Sequence, residues 1–261
     1  MAAKGTTPAA PKAKPLASRL SLAEAMAALE KAGSAQARKT YARHGAPEPM
    51  FGVSFADLKT LVKRIKVDQE LALALWKTGN FDARNLAVKI ADPRLMTQGD
   101  LDRWALESAA GCNAYVAQLA AEGGHGRARA DGWLKSKAEA HRRCGWLLVG
   151  ALAGRDEEVA SPWFASHIAT IEGTIHTAPN DEREAMNGAL IAIGGRDASF
   201  RKAALAAAKR IGQVSVDHGD TACKTPDAGP YIEKAWAYAT AKNFPSPAAQ
   251  ERSRESMRTR C

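Results

Sequence analysis

Several protein classes are excluded by what this sequence lacks. It has few cysteines, all widely spaced and without a C-x-x-C pair: Cys112, Cys144, Cys223 and Cys261. That spacing provides no zinc-binding or dithiol motif, so we expect reduced thiols. The sequence also has no phosphate-binding glycine loop, no dinucleotide fingerprint and no Ser, His and Asp arrangement. A conventional kinase, dehydrogenase or hydrolase is therefore disfavoured, and no small-molecule cofactor is expected.

Long apolar runs are missing as well. The longest, such as residues 147–153, are far shorter than the roughly 20 residues that cross a bilayer. Residues 1–20 carry lysines but no apolar segment, because prolines interrupt an Ala-rich polar tract, and this excludes a secretory signal. We therefore expect a cytoplasmic protein without membrane contact.

Four side chains of metal-ligating types lie close together near the end of the domain, at Asp217, His218, Asp220 and Cys223. Their spacing matches no standard metal site. Asp and His in a loop with Gly219 more often bond to the backbone and fix its shape. We therefore predict no metal.

The formal net charge of +9 lies mostly at the two ends. Four basic residues give residues 1–20 a charge of +4, and five basic against two acidic residues give residues 242–261 a charge of +3. Only +2 is left for the body. We therefore predict disordered basic tails over 1–20 and 242–261 around one folded domain over 21–241, whose basic surface must come from local clusters.

Helical periodicity dominates the domain. Phe55, Leu58, Leu61, Val62 and Ile65 recur with the spacing of one stripe on an amphipathic helix. Glycines and prolines break the pattern every 12 to 20 residues, which predicts about a dozen short helices. No comparable alternation indicates strands. Short helices joined by tight turns pack as stacked antiparallel pairs, so the predicted fold is an all-α, right-handed α-solenoid whose concave surface is the default binding site.

Two helix starts carry recognisable caps. Ser21 stands three residues before Glu24, and Ser54 stands three before Asp57, which is the spacing of a capping box. Among the tryptophans, those within apolar patterns are expected in the core: Trp76, Trp104 and Trp146. Trp133 and Trp163 begin helices and are expected to be partly exposed.

Motifs in a consistent order, over about residues 38 to 236, resemble those of the DNA alkylation repair family, whose members include HEAT-like repeat DNA glycosylases. The matching segments are Tyr41–Gly45, Phe51–Val53, Leu75–Trp76, Phe81–Ala87, Asp92–Pro93, Leu101–Trp104, Trp133–Ser136, Met186–Asn187, Ile191–Gly195, Val216–Asp227 and Tyr231–Lys234. The resemblance implies a superhelix of HEAT-like antiparallel helix pairs that cradles duplex DNA, alkylated duplexes included, in its concave face.

Active members of that family excise N-alkylated purines with two tryptophans and an aspartate. The carboxylate stabilises the oxocarbenium-like sugar as it forms, and the aromatic faces attract the developing positive charge. Aligned on the motifs, the first tryptophan and the aspartate fall on Gly111 and Tyr115, and the second tryptophan falls on Gly188. All three residues are replaced, so the sequence leaves enzymatic activity open and assigns no catalytic residue.

Three acids lie near these positions in the sequence: Asp82, Glu107 and Glu139. Each is more simply interpreted as a helix-surface or ion-pairing residue. An altered glycosylase with a substitute carboxylate opposite Tyr115 stays open as a third hypothesis.

Seven residues are candidates for DNA contact: Lys59, Lys63, Arg84, Tyr115, Arg142, Arg143 and Lys224. Lys59 and Lys63 belong to the densest basic cluster of the domain, which also contains Arg64 and Lys66. Arg142 or Arg143 matches a family position that faces phosphate, where a guanidinium can bind two oxygens. The simpler alternative for the lysine cluster is a solvated helix face, and for Arg142 and Arg143 it is such a face with a pair to Glu139. For Arg84, two residues after Asp82, it is an internal ion pair that fixes one helix turn.

The main hypothesis is a DNA repair protein that binds duplex DNA. The alternative is a non-enzymatic HEAT-like scaffold that binds a protein partner. Convergence of Lys59, Lys63, Arg143 and Lys224 on one face favours DNA, whereas scattering of these residues favours the scaffold.

Overall fold

The computed structural model describes residues 19–109, 111–157 and 161–259, and most of the predicted N-terminal tail lies outside them. These ranges contain no strand, only an isolated bridge between Gly33 and Val53. A short 3-10 turn covers Pro93–Leu95. The α-helices of the described residues are α1 Leu22–Ala32, α2 Ala35–Arg43, α3 Phe55–Ile65, α4 Gln69–Lys77, α5 Phe81–Ile90, α6 Gln98–Glu107, α7 Asn113–Glu122, α8 Gly126–Leu134, α9 Glu139–Arg155, α10 Ser161–Thr174, α11 Asn180–Gly194, α12 Ala198–Ile211, α13 Ala228–Ala241 and α14 Pro247–Arg252.

The predicted caps begin two of these helices. The Ser21 side chain accepts the amide of Glu24, whose carboxylate in turn accepts the amide of Ser21, and this completes a capping box at α1. Ser54 accepts the amide of Asp57 at α3. These short-range bonds satisfy donors that a helix leaves unpaired in its first turn, which is why the helix starts are visible in the sequence.

The helices from α3 onward form two layers. An inner layer consists of α3, α5, α7, α9, α11 and α13, each packed against the next. An outer layer of α4, α6, α8, α10 and α12 packs behind it, so that each outer helix pairs with an inner neighbour. The predicted all-α solenoid of HEAT-like helix pairs is confirmed.

A continuous apolar core joins the layers. Trp76 of α4 and Trp104 of α6 stack with ring centroids 4.1 Å apart, so consecutive outer helices share one aromatic contact. Among the described helices, none combines the length and apolar character that a bilayer crossing needs.

The C-terminal end departs from the sequence prediction. A disordered tail over 242–261 is wrong for the described residues, because α14 forms there and Arg258 is buried. Residues 244–259, termed the C-terminal strap, turn back from α13, and α14 packs on α9 of the inner layer. Arg252 and Arg258 of this segment are paired with carboxylates of the domain, so their charge does not keep the segment in solvent.

Candidate nucleic-acid interface

An aromatic and lysine cluster occupies the inner layer where α3, α5 and α7 meet. The Lys89 ammonium lies 4.1 Å from the centroid of the Tyr115 ring and 5.8 Å from that of Phe55. Lys89 is only 1% exposed, and its Nζ also donates to the Arg258 carbonyl over 2.8 Å. The aromatic faces and the carbonyl stabilise a cation that burial alone would make costly.

A basic stripe on α3 begins at this cluster. Phe55, Lys59 and Lys63 succeed one another at four-residue intervals and therefore share a helix face. Both lysines are exposed, as are Arg64 and Lys66 at the end of the helix. Because the Phe55 ring reaches Lys89, the stripe extends outward from the cluster that contains Tyr115.

The three positions expected to hold the family's catalytic residues lie along α7 and α11. Gly111 precedes α7 with a φ of +87°, a conformation that disfavours a tryptophan there. Tyr115 is on α7, and Gly188 lines a cavity of about 410 Å³ on the inner layer, beside Trp146 and Gly150 of α9. A Cβ at Gly188 would meet nothing within 4 Å, so this position has room for a larger side chain that the sequence does not supply.

Asp82 is a structural acid. It is 2% exposed, and its carboxylate accepts the amides of Phe51, Gly52 and Val53 over 2.6, 3.0 and 2.8 Å. The carboxylate thereby fixes the loop before α3 onto the first turn of α5. Three charge-assisted bonds to the backbone leave Asp82 little capacity for catalysis.

Glu107 and Arg84 form an ion pair at 2.8 Å. Glu107 also accepts the Trp76 indole N–H over 2.7 Å, while Arg84 donates to the main-chain carbonyls of Trp76 and Glu107. The pair ties α4, α5 and α6 together. Arg84 therefore pairs with an acid of another helix, and the ion pair within one helix turn that the sequence predicted is not the one observed. Glu139 is exposed in the first turn of α9.

Arg142 and Arg143 lie at the start of α9 and are paired with acids at the start of α11. Arg142 Nε donates to Glu182 over 2.9 Å, and Arg143 donates to Asp181 over 2.8 Å. Neither guanidinium is fully exposed. A phosphate would have to share these arginines with their carboxylates.

Lys224 lies exposed in the irregular loop 212–227, which runs along the first turns of α11. Asn180 bonds to the backbone of Asp217 in both directions, and Asn187 donates to the Pro226 carbonyl. No three acidic, His or Cys side chains in the described residues are grouped to hold a metal ion. The four basic residues whose convergence was expected to favour DNA are therefore divided between two places. Lys59 and Lys63 lie on α3, whereas Arg143 and Lys224 lie near the starts of α9 and α11.

Two residues of the cluster around Tyr115 were not identified from the sequence: Lys89 and Arg258. Lys89 carries the one charge in the otherwise apolar stretch from Leu86 to Ala91, and this pattern indicates a buried cation. Arg258 gives no such signal, because its partners are far away in the sequence.

The chain matches the family described as DNA alkylation repair enzyme over residues 25–230. It is 28% identical over 205 residues to an uncharacterized protein of Listeria monocytogenes, which covers 76% of this chain and 89% of that protein. A protein of Listeria innocua is 27% identical over the same coverage.

A solved structure described as a new family of proteins related to the HEAT-like repeat DNA glycosylases with affinity for branched DNA structures is also similar. It superimposes with a TM-score of 0.75 and 29% identity, covering 87% of this chain and 96% of that one. With its family match over most of the folded residues, this chain belongs to the DNA alkylation repair enzyme family.

Proposed function

We propose that this protein binds branched DNA on its inner layer and does not excise alkylated bases by the family's tryptophan and aspartate route. One observation carries the proposal. The position expected to hold the aspartate is Tyr115, and the charge beside it is the Lys89 cation, 4.1 Å from the ring centroid.

The sign of that charge argues against base excision. Excision builds positive charge on the sugar, which a carboxylate stabilises and a nearby cation opposes. Asp82 and Glu107 are engaged by backbone amides and by Arg84, and Glu122 of α7 is engaged by Arg258. A positive site is instead suited to phosphate.

The basic stripe of α3 supplies further positive charge next to the cluster. Lys59 and Lys63 are exposed there, and phosphate contacts account for most of the sequence-independent affinity of DNA-binding proteins. The affinity of the structural relative for branched DNA supports branched DNA as the ligand, and the proposal adds a preference for junctions over linear duplexes.

Fluorescence anisotropy of the full-length protein tests this function. The labelled probes are a four-way junction and a linear duplex with the same total base pairs, each titrated across a salt series. We expect tighter binding to the junction, weakened steeply by salt. Equal affinity for both probes would contradict the preference, and no binding to either would favour the protein-scaffold alternative.

Lys63→Ala tests the α3 stripe, with Lys202→Ala on outer helix α12 as the matched control, because both lysines are exposed. Loss of one phosphate contact makes the plot of log affinity against log salt less steep, by about 0.9 in slope. We expect this change for Lys63→Ala alone.

A base-release assay on duplex DNA containing N7-methylguanine should yield no free base, and release above the uncatalysed rate would overturn the non-excising part of the proposal.

A further inference from the structure

The C-terminal strap runs along the inner layer against the chain order. The Ala248 amide donates to the Gly195 carbonyl at the end of α11, Glu251 pairs with Arg155 of α9, and Arg252 pairs with Glu157 just after α9. The strap then continues past α7 to α5. It therefore touches four successive inner helices.

Arg258 anchors the far end of the strap. Its side chain is 6% exposed, and Nε donates to Glu122 of α7 over 2.8 Å. Nη1 donates to the carbonyls of Val88 and Lys89 over 2.9 and 3.0 Å. The guanidinium thus caps the last turn of α5, where a helix leaves carbonyls unpaired and favours positive charge.

The strap also covers part of the groove. Pro247, Ala248, Glu251 and Met257 form one wall of the cavity that Gly188 lines. The carbonyl of Arg258 meanwhile accepts from Lys89, so the strap's end lies on the cluster that contains Tyr115. A DNA strand approaching this part of the inner layer meets the strap first.

The strap is held by ion pairs in which a DNA phosphate can take the place of the carboxylate. Arg252 and Arg258 pair with Glu157 and Glu122, so in the closed strap these two arginines already have carboxylate partners. A polyanion offers these arginines phosphate oxygens instead, which a guanidinium can bind with two donors. The closed state is therefore open to competition from nucleic acid.

We propose that the C-terminal strap is an intramolecular gate of the groove, which is closed on Glu122 without DNA and moves off the inner layer when DNA binds. This inference rests on the proposed function, because it names DNA as the ligand that opens the gate. The apparent affinity of the protein for DNA then depends on the fraction of molecules in which the strap is open.

Two arginines of the strap give a matched test. Arg258→Ala removes the anchor, whereas Arg254→Ala removes the same charge from an exposed position in the strap. If about nine-tenths of the molecules are closed, releasing the strap tightens junction binding about tenfold. We expect that gain for Arg258→Ala despite its lost positive charge, and no gain for Arg254→Ala.

Glu122→Gln removes the other half of the anchor and keeps all strap arginines, with Glu139→Gln, an exposed acid of α9, as its control for charge. The same gain is expected from Glu122→Gln and not from Glu139→Gln. This second pair also covers the outcome in which Arg258→Ala fails to fold.

Hydrogen exchange of the full-length protein observes the gate directly. Amides of residues 244–259 should exchange faster when junction DNA is added, while those of α11 should not. Wild-type binding without faster exchange, or without any gain in the two anchor variants, overturns the gate but leaves DNA binding intact. If no variant binds DNA, both the function and the gate fail.

Discussion

His167 is a buried histidine enclosed by aromatic rings. Its ring lies edge-on to Trp163 at 4.2 Å and to Trp146 at 5.5 Å, and the residue is 9% exposed. Nε2 has no hydrogen-bond partner among the described residues. Burial lowers the pKa of His167, with Asp131 opposing in part, so the imidazole is neutral in the folded protein at neutral pH.

Stability should consequently fall in mild acid. In the unfolded chain His167 takes up a proton near the ordinary pKa of 6.5, whereas in the folded protein its lowered pKa delays protonation. The contribution of His167 to the free energy of unfolding is therefore complete above that pH and is lost as the pH falls below it. The loss reaches at most about 1.4 kcal/mol per pH unit for one proton. Urea unfolding of wild type and His167→Phe at pH 7.5 and 5.5 measures it, and an equal pH dependence for the two proteins would show that His167 is not responsible.

The cysteines should differ sharply in reactivity. Burial raises the pKa of Cys112 to about 12 and that of Cys144 to about 11, which keeps both as thiols at pH 8. Cys223 is exposed in loop 212–227. We expect iodoacetamide to modify Cys223 in the folded protein and to reach Cys112 and Cys144 only in urea, as measured by peptide mass spectrometry. Early labelling of Cys112 would contradict the packing of α7 against α5.

At the scale of elements, Asp82 joins a loop to a helix. Asp82→Asn replaces an acceptor of three amides with a group that has one acceptor and two donors, so backbone N–H groups lose partners. We expect the free energy of unfolding to fall by about 2 to 3 kcal/mol. Asp220→Asn, at an exposed acid of loop 212–227, is the control and should change it by less than about 0.5 kcal/mol. Chemical denaturation compares the two, and a similar small effect in both would refute the structural role of Asp82.

The elements that the sequence predicts correctly depend on neighbours in the chain. Ser21 and Ser54 cap helices three residues away, and the apolar stripe of α3 depends on spacing within one helix. Trp133 and Trp163 were expected to be partly exposed because they begin helices, and this is wrong, since they are 2% and 8% exposed. The Trp163 indole N–H donates to Asp131 on another helix over 2.8 Å. A hydrogen-bond partner 32 residues away leaves no pattern in a single sequence.

The site follows the same division. Alignment on the motifs assigned the family's catalytic positions to Gly111, Tyr115 and Gly188. Tyr115 lies on α7 and Gly188 on α11, and both helices belong to the inner layer. The cation beside Tyr115 was missed, because Lys89 comes from another helix, and so does Phe55, the second ring that Lys89 contacts. Arg84 was a DNA candidate by motif, but its pairing with Glu107 depends on how α5 packs against α6.

At the scale of the whole molecule, the strap changes how the solenoid is connected. Stacked helix pairs normally contact only adjacent pairs, so the two ends of such a fold are coupled weakly. Here Arg258 donates to the Val88 carbonyl, 170 positions earlier in the chain. The strap therefore couples the N-terminal helices directly to the C-terminal ones.

Breaking that connection should divide the unfolding transition. In the wild type we expect α5 and α11 to lose hydrogen-exchange protection at the same denaturant concentration, as in a cooperative transition. In Arg258→Ala, α5 loses the cap on its last turn and its tie to Glu122, so its protection should be lost at lower denaturant than that of α11. Arg254→Ala should behave as the wild type does. A coincident shift of both helices in Arg258→Ala would mean that packing between neighbouring helix pairs alone transmits stability along the molecule, and the strap would then be a local feature of α14 and α9.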